Sequence, residues 1–226
     1  MLERKIPWNL KTVFSIHVLR LVIGLLLVRI LYPMVIAVTP FVIEVTDRFI
    51  VLILVWIAVH RYKSSFNALG LTFQHFNANL CYGIAAGFIL LGVSVFSEKI
   101  YTTMLFLEPG QHPLVAQVEK AVSWRELAAP LFLAGVLAPL TEEILYRLFT
   151  FLPMQEKWGF WGGAIASSLV FALMHFNLYW LGEMLIVGVS LSFLYYKTGS
   201  LVSSIIAHSV LNTSKIIMLF LGISFI

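Results

Sequence analysis

The stretch ELAAPLFLAGVLAPLTEEILYRLFTFL, residues 126–152, decides the kind of chain this is. It carries charge only at Glu126, Glu142, Glu143 and Arg147, and it exceeds the roughly 20 apolar residues that a helix needs to cross a hydrocarbon core. Runs of similar character lie on both sides of it, at about 13–38, 41–59, 80–97, 158–177, 181–196 and 201–225. Together they predict an all-α fold, a polytopic transmembrane helix bundle of about seven spans, because a membrane barrel would need short alternating strands instead. No repeat or low-complexity tract interrupts the chain. Residues 1–226 therefore read as a single integral-membrane domain, with a motif-bearing core over about 126–225.

Composition points the same way. Of 226 residues, 60% are hydrophobic and 12% charged, with a mean hydropathy of +0.94, whereas soluble domains are about half apolar and about a quarter charged. One water-facing core cannot hide that much apolar surface, so the bilayer is the solvent. The low charge argues against disorder, and the lone Cys81 excludes an internal disulfide and reads as a small packing residue. The net charge of +4 comes from bases scattered between apolar runs, which leaves no footprint for nucleic acid.

That scatter orients the chain. With a cytoplasmic N-terminus, the inner side collects Arg4, Lys5, Lys11, Arg61, Lys63, Lys157 and Lys197, and the outer connections hold Arg48, Lys120 and Arg125. A bacterial inner membrane is the expected location. The first run is too long for the apolar core of a secretory signal and lacks a small-residue cleavage site, so it is expected to stay in place. Trp8, Trp124, Trp158, Trp161 and Trp180 fall near run ends, as an aromatic belt would. His17, His60, His75 and His112 read as solvated or interfacial, and Arg20 and Arg29 as snorkelling toward lipid phosphate. The outer segment 107–125, with Pro109, Gly110 and Pro113, is expected to cap the bundle or form part of an entrance.

The informative residues are the ionisable ones inside the runs, since each costs at least a few kcal/mol unless paired or facing a cavity. Glu142, Glu143 and Arg147 sit in the quoted stretch, behind Pro139, which is expected to kink it. The next run ends FALMH and supplies His175; the last reads HSVLN over 208–212 and supplies His208 and Asn212. Glu143 and Arg147 are four apart and share a helix face, so they can pair. Glu142 lies about 100° round the axis and is left free to meet other helices. His208 and Asn212 also share one face, two neutral donors suited to an oxyanion, and His175 can share a water with Glu142. The constellation describes a hydrolase with neither a Ser nor a Cys nucleophile. Counted along ideal helices, however, Glu142, His208 and His175 lie about 15, 10 and 25 Å from the inner ends of their runs, so either the run carrying His175 is short, tilted or starts later, near Trp161, or the inner boundaries lie elsewhere.

In this order, EEILYR at 142–147, FALMH at 171–175 and HSVLN at 208–212 resemble the EExxxR, FxxxH and HxxxN motifs of the CPBP (CAAX protease and bacteriocin-processing, or Abi) family of intramembrane proteases. The resemblance covers about 85 residues. It implies that Glu142 and His175 activate water, that His208 and Asn212 form the oxyanion hole, and that Glu143 and Arg147 hold the helix. Leu148 stands where many members carry Gly. The implied activity is glutamic-type endopeptidase action on a membrane-anchored peptide or protein, with no cofactor; zinc with the same residues is the alternative, and nothing like HExxH is present. Two other classes remain, a transporter or proton relay and a non-catalytic membrane scaffold, although the chain shows neither an inverted repeat nor paired discontinuous spans.

Overall fold

The computed structural model describes residues 6–108 and 113–223, without the side chains of Pro113 and Leu114. Arg4, Lys5, Pro109, Gly110 and His112 lie outside the described residues. Every regular element among those described is helical. Seven helices follow one another: α1 Leu10–Val35, α2 Pro40–Arg61, α3 Phe76–Met104, a short α4 Pro113–Lys120, the long α5 Trp124–Leu173, α6 Leu181–Thr198 and α7 Leu201–Phe220. Local chemistry sets their ends. Asn9 and Thr39 accept hydrogen bonds from Thr12 N–H and Val42 N–H, Pro40 opens α2, and at the start of α5 Ser123 Oγ accepts from Glu126 N–H while the Glu126 carboxylate accepts from Val122 N–H.

Four of these helices, α1, α3, α5 and α7, are long and apolar enough to cross a membrane. At 50 residues, α5 is too long for one crossing, and Gly159 breaks it with a left-handed φ of 71° into two arms. The seven apolar runs thus each find a helical rod, and the chain is a multi-pass membrane protein. The arm carrying His175 starts after Gly159, about two residues and 3 Å later than the run at 158–177, which narrows the depth difference only slightly.

The bundle is polar inside and apolar outside, as a bilayer solvent requires. Glu143 and Arg147 are fully buried, while Phe88, Ile89 and Phe96 on α3 and Phe14 and Met34 on α1 face outward. Cys81 also lies on that outer face of α3, not in the packing, since a thiol is as well accommodated by hydrocarbon as a methyl. Helix α7 is the hub, touching α3, α4, α6 and both π-helical stretches of α5. It approaches α3 so closely that a Cβ on Gly83 would lie 2.6 Å from Ile206 Cβ, and one on Gly87 2.6 Å from Val210 Cβ. Replacing both glycines by Val is expected to push α3 off α7 and to cost about 2–5 kcal/mol, the penalty of overpacking twice, read as a lower unfolding temperature in detergent.

Three stretches of wide, π-helical winding interrupt the rods, Leu27–Leu31, Leu133–Leu137 and Glu143–Phe151, and the last two lie on either side of the short turn that ends in Glu142. Two sequence expectations fail here for one reason: wide winding frees backbone and hydroxyl partners. Trp8 is not in an interfacial belt but buried, its indole N–H donating to Phe149 O at 3.0 Å with the rings stacked at 5.1 Å. His17 is not solvated; its Nε2 meets Thr150 Oγ1 at 3.0 Å, and that hydroxyl donates to Leu145 O, five residues back.

Candidate active site

Glu142 ends a short α-helical turn and Glu143 opens the nine-residue π-helical stretch, so the two carboxylates stand at a change of pitch. Both turn toward α7. His208 bridges them, with Nδ1 3.0 Å from Glu143 Oε1 and Nε2 3.8 Å from Glu142 Oε2. A carboxylate only accepts, so Nδ1 of His208 donates to Glu143. Glu143 Oε2 lies 3.2 Å from Arg147 Nε, an ion pair without hydrogen-bond alignment. The guanidinium lies instead over the Phe171 ring, 4.8 Å from its centroid, a cation–π contact in a site with no access to water.

Phe171 explains its own place in the FALMH segment. Besides Arg147, its ring packs edge-on against Tyr146 at 5.1 Å, His175 at 4.8 Å and His208 at 6.2 Å, setting both imidazoles from one wall. His175 follows the last turn of α5 and directs Nδ1 to Phe171 O at 2.8 Å. A carbonyl accepts, so His175 too is protonated on Nδ1 and keeps a lone pair on Nε2.

Asn212 is placed by Pro139. In the wide winding, Ala138 N–H donates to Leu133 O; the next donor in that register would be Pro139, which has no N–H, and Asn212 Nδ2 supplies the bond to Ala134 O at 2.9 Å instead. Gly135, whose Cβ would meet Thr213 Oγ1 at 2.5 Å, permits the approach. One of the two Asn212 amide protons is thereby committed to the backbone. Leu148 is fully buried in the main core with Phe149 and Phe151.

The residues that sequence reasoning missed are the cations on the other side. Arg48 does not belong to an outer connection: it lies within α2, and its Nη1 reaches Glu142 Oε1 at 2.9 Å. The same guanidinium contacts Glu44 Oε2 at 3.1 Å and Asp47 Oδ2 at 3.7 Å. Nor does Arg20 snorkel to lipid; it grips Asp47 with two bonds of 2.7 and 2.6 Å and donates to Tyr146 OH at 3.0 Å. Polar spacing at 44, 47 and 48 inside an apolar run was the available signal, since three charged residues within five positions are too costly to face lipid.

A second charged group lies along α7, seven residues past His208 and on the same face. Lys215 Nζ is 2.7 Å from Glu183 Oε1 on α6 and 3.1 Å from Glu98 Oε2 on α3, and Ser94 donates to Glu183. Replacing Lys215 by Met leaves Glu183 buried without its cation and is expected to cost about 1–3 kcal/mol, with Lys215→Arg much milder, measured by thermal unfolding in detergent.

Residues 124–214 match the family described as Type II CAAX prenyl endopeptidase Rce1-like, a segment that holds all three motifs. The chain is 32% identical over 93 residues to the Bacillus subtilis (strain 168) protein named "Putative membrane peptidase YdiL", covering 40% of this chain and 38% of that one. It is 32% identical over 82 residues to "UPF0177 protein YxdF" of Lactococcus lactis subsp. lactis (strain IL1403), covering 36% of this chain and 45% of that one. The chain thus spans less than half the length of either curated relative. No solved structure matches it. The three motifs lie in order inside the matched segment, so over residues 124–214 the chain is similar to the Type II CAAX prenyl endopeptidase Rce1-like family.

Proposed function

We propose that the chain is an intramembrane endopeptidase that hydrolyses a peptide bond of a membrane-anchored or membrane-associated substrate, using a water activated by Glu142 and His175. One observation carries the reading: Glu142 turns Oε2 toward His208 Nε2 across 3.8 Å in the dry interior, while His175 and His208 are each anchored through Nδ1, to Phe171 O and to Glu143. In this scheme, water gives a proton to Glu142 as its oxygen bonds to the carbonyl carbon, and the carbonyl oxygen takes the negative charge. The tetrahedral intermediate collapses when Glu142 returns that proton to the amine nitrogen. His208 Nε2–H, with Nδ1–H kept on Glu143, and the second Asn212 N–H face the oxyanion.

The donor set fits a zinc ion poorly. Among the described residues no three His, Cys, Asp or Glu side chains gather as ligands, and the Arg48 guanidinium 2.9 Å from Glu142 would repel a dication. The resemblance to prenyl endopeptidases and to a protein named as a membrane peptidase supports a substrate that reaches the site from the bilayer, a prenylated C-terminus, a peptide leader or a C-terminal sorting helix. A bacterial inner membrane with a cytoplasmic N-terminus is the orientation proposed.

The test is cleavage by purified protein in liposomes of two quenched-fluorescent probes, one with a prenylated C-terminal cysteine motif and one a single-span transmembrane peptide. Cleavage lost in Glu142→Gln and His175→Ala but kept in chelator supports the scheme. Cleavage of neither probe by the wild type, or loss in chelator restored by zinc, rejects it.

A further inference from the structure

We propose that Arg48 is a positioning residue for the Glu142 carboxylate: carried into the site by α2, its guanidinium keeps that carboxylate charged in the dry interior and leaves one oxygen turned toward His208. The inference rests on the function proposed above and adds a residue that none of the three motifs contains.

A water-activating carboxylate must be ionised, and an ionised carboxylate removed from water costs several kcal/mol unless a cation meets it. Glu142 is 5% exposed. The cation nearest in the chain, Arg147, is spent on Glu143, and His208 puts its Nδ1 on Glu143 as well. That leaves Arg48, at 2.9 Å, as the cation that holds Glu142. It touches Oε1 alone. A two-pronged grip would consume both oxygens, whereas this one leaves Oε2 facing the imidazole at 3.8 Å.

Arg48 is itself braced. Its Nη2 holds Glu44 one turn earlier, and its neighbour Asp47 is gripped by Arg20 of α1, which in turn reaches Tyr146, one turn beyond Glu142 on α5. The brace runs from α1 through α2 back to the helix it serves. Arg20 and Arg48 face Glu44, Asp47 and Glu142, so neither guanidinium is a surplus charge free to leave.

The experiment compares kcat and KM on the two quenched-fluorescent probes for wild type, Arg48→Gln and Arg48→Lys in liposomes, with unfolding temperatures in detergent. Arg48→Gln is expected to lower kcat by about tenfold or more with KM held within about twofold, and Arg48→Lys to recover most of that loss, since an ammonium restores the charge but not the fork. Three results overturn the inference while leaving the functional reading standing: wild-type kcat in Arg48→Gln, a faster Arg48→Gln, or a raised KM with kcat kept. Should Arg48→Gln not fold, Glu44→Gln, which releases the far prong of Arg48 without touching the site, is expected to lower kcat severalfold at unchanged KM, and an unchanged kcat there overturns it equally. A wild type inactive on both probes takes down the functional reading and this inference with it.

Discussion

Glu142→Gln is expected to lower kcat by about 10³-fold or more on either probe while the protein stays folded, the largest single loss of activity in the site. The amide keeps the shape of the side chain and its oxygen can still meet Arg48, but it has no basicity at any accessible pH, so the attacking water keeps its proton. The fold survives because the partner left behind is not stranded. Arg48 retains Glu44 at 3.1 Å and Asp47 at 3.7 Å, both partly exposed. The measurement is kcat in liposomes beside the unfolding temperature in detergent. A folded Glu142→Gln protein within a few-fold of wild type would remove the carboxylate from the chemistry.

That compensation was not readable along the chain. The apolar runs and the three motifs were, because length, hydropathy and four-residue spacing are local properties of a helix. Arg48 was assigned to an outer connection because a charged cluster at the start of a run is locally indistinguishable from a loop; its partner lies 94 positions away on α5. Glu183 and Lys215 escaped for the same reason, each charge answered on another helix. His17 and Trp8 were misread on a finer point. Their partners, Thr150 and Phe149 O, belong to a π-helical stretch, and nothing in the residue pattern at 143–151 distinguishes five-residue from four-residue winding. The break at Gly159 lies just past the polar residues Gln155, Glu156 and Lys157 that separate the runs 126–152 and 158–177, so the boundary was legible and the positive φ only fixes its exact place.

Arg147→Met is expected to do to the fold what Glu142→Gln does to the chemistry. Arg147 is fully buried, 3.2 Å from the equally buried Glu143 and stacked over Phe171. Removing the guanidinium leaves a carboxylate held by His208 Nδ1 alone, and breaking one side of such a pair costs about 3–5 kcal/mol, on the order of 10 °C in unfolding temperature for a chain of this size. The double variant Arg147→Met with Glu143→Gln should recover most of that loss, because neutralising both partners removes the stranded charge together with the attraction. It should not recover activity. Glu143 also fixes the proton of His208 on Nδ1, and glutamine, able to donate as well as accept, no longer dictates which nitrogen faces Glu142. A double variant that is stable yet slow separates the two roles of Glu143, one toward the helix and one toward the imidazole. An Arg147→Met protein as stable as wild type would mean that neither the ion pair with Glu143 nor the contact with Phe171 contributes to the fold.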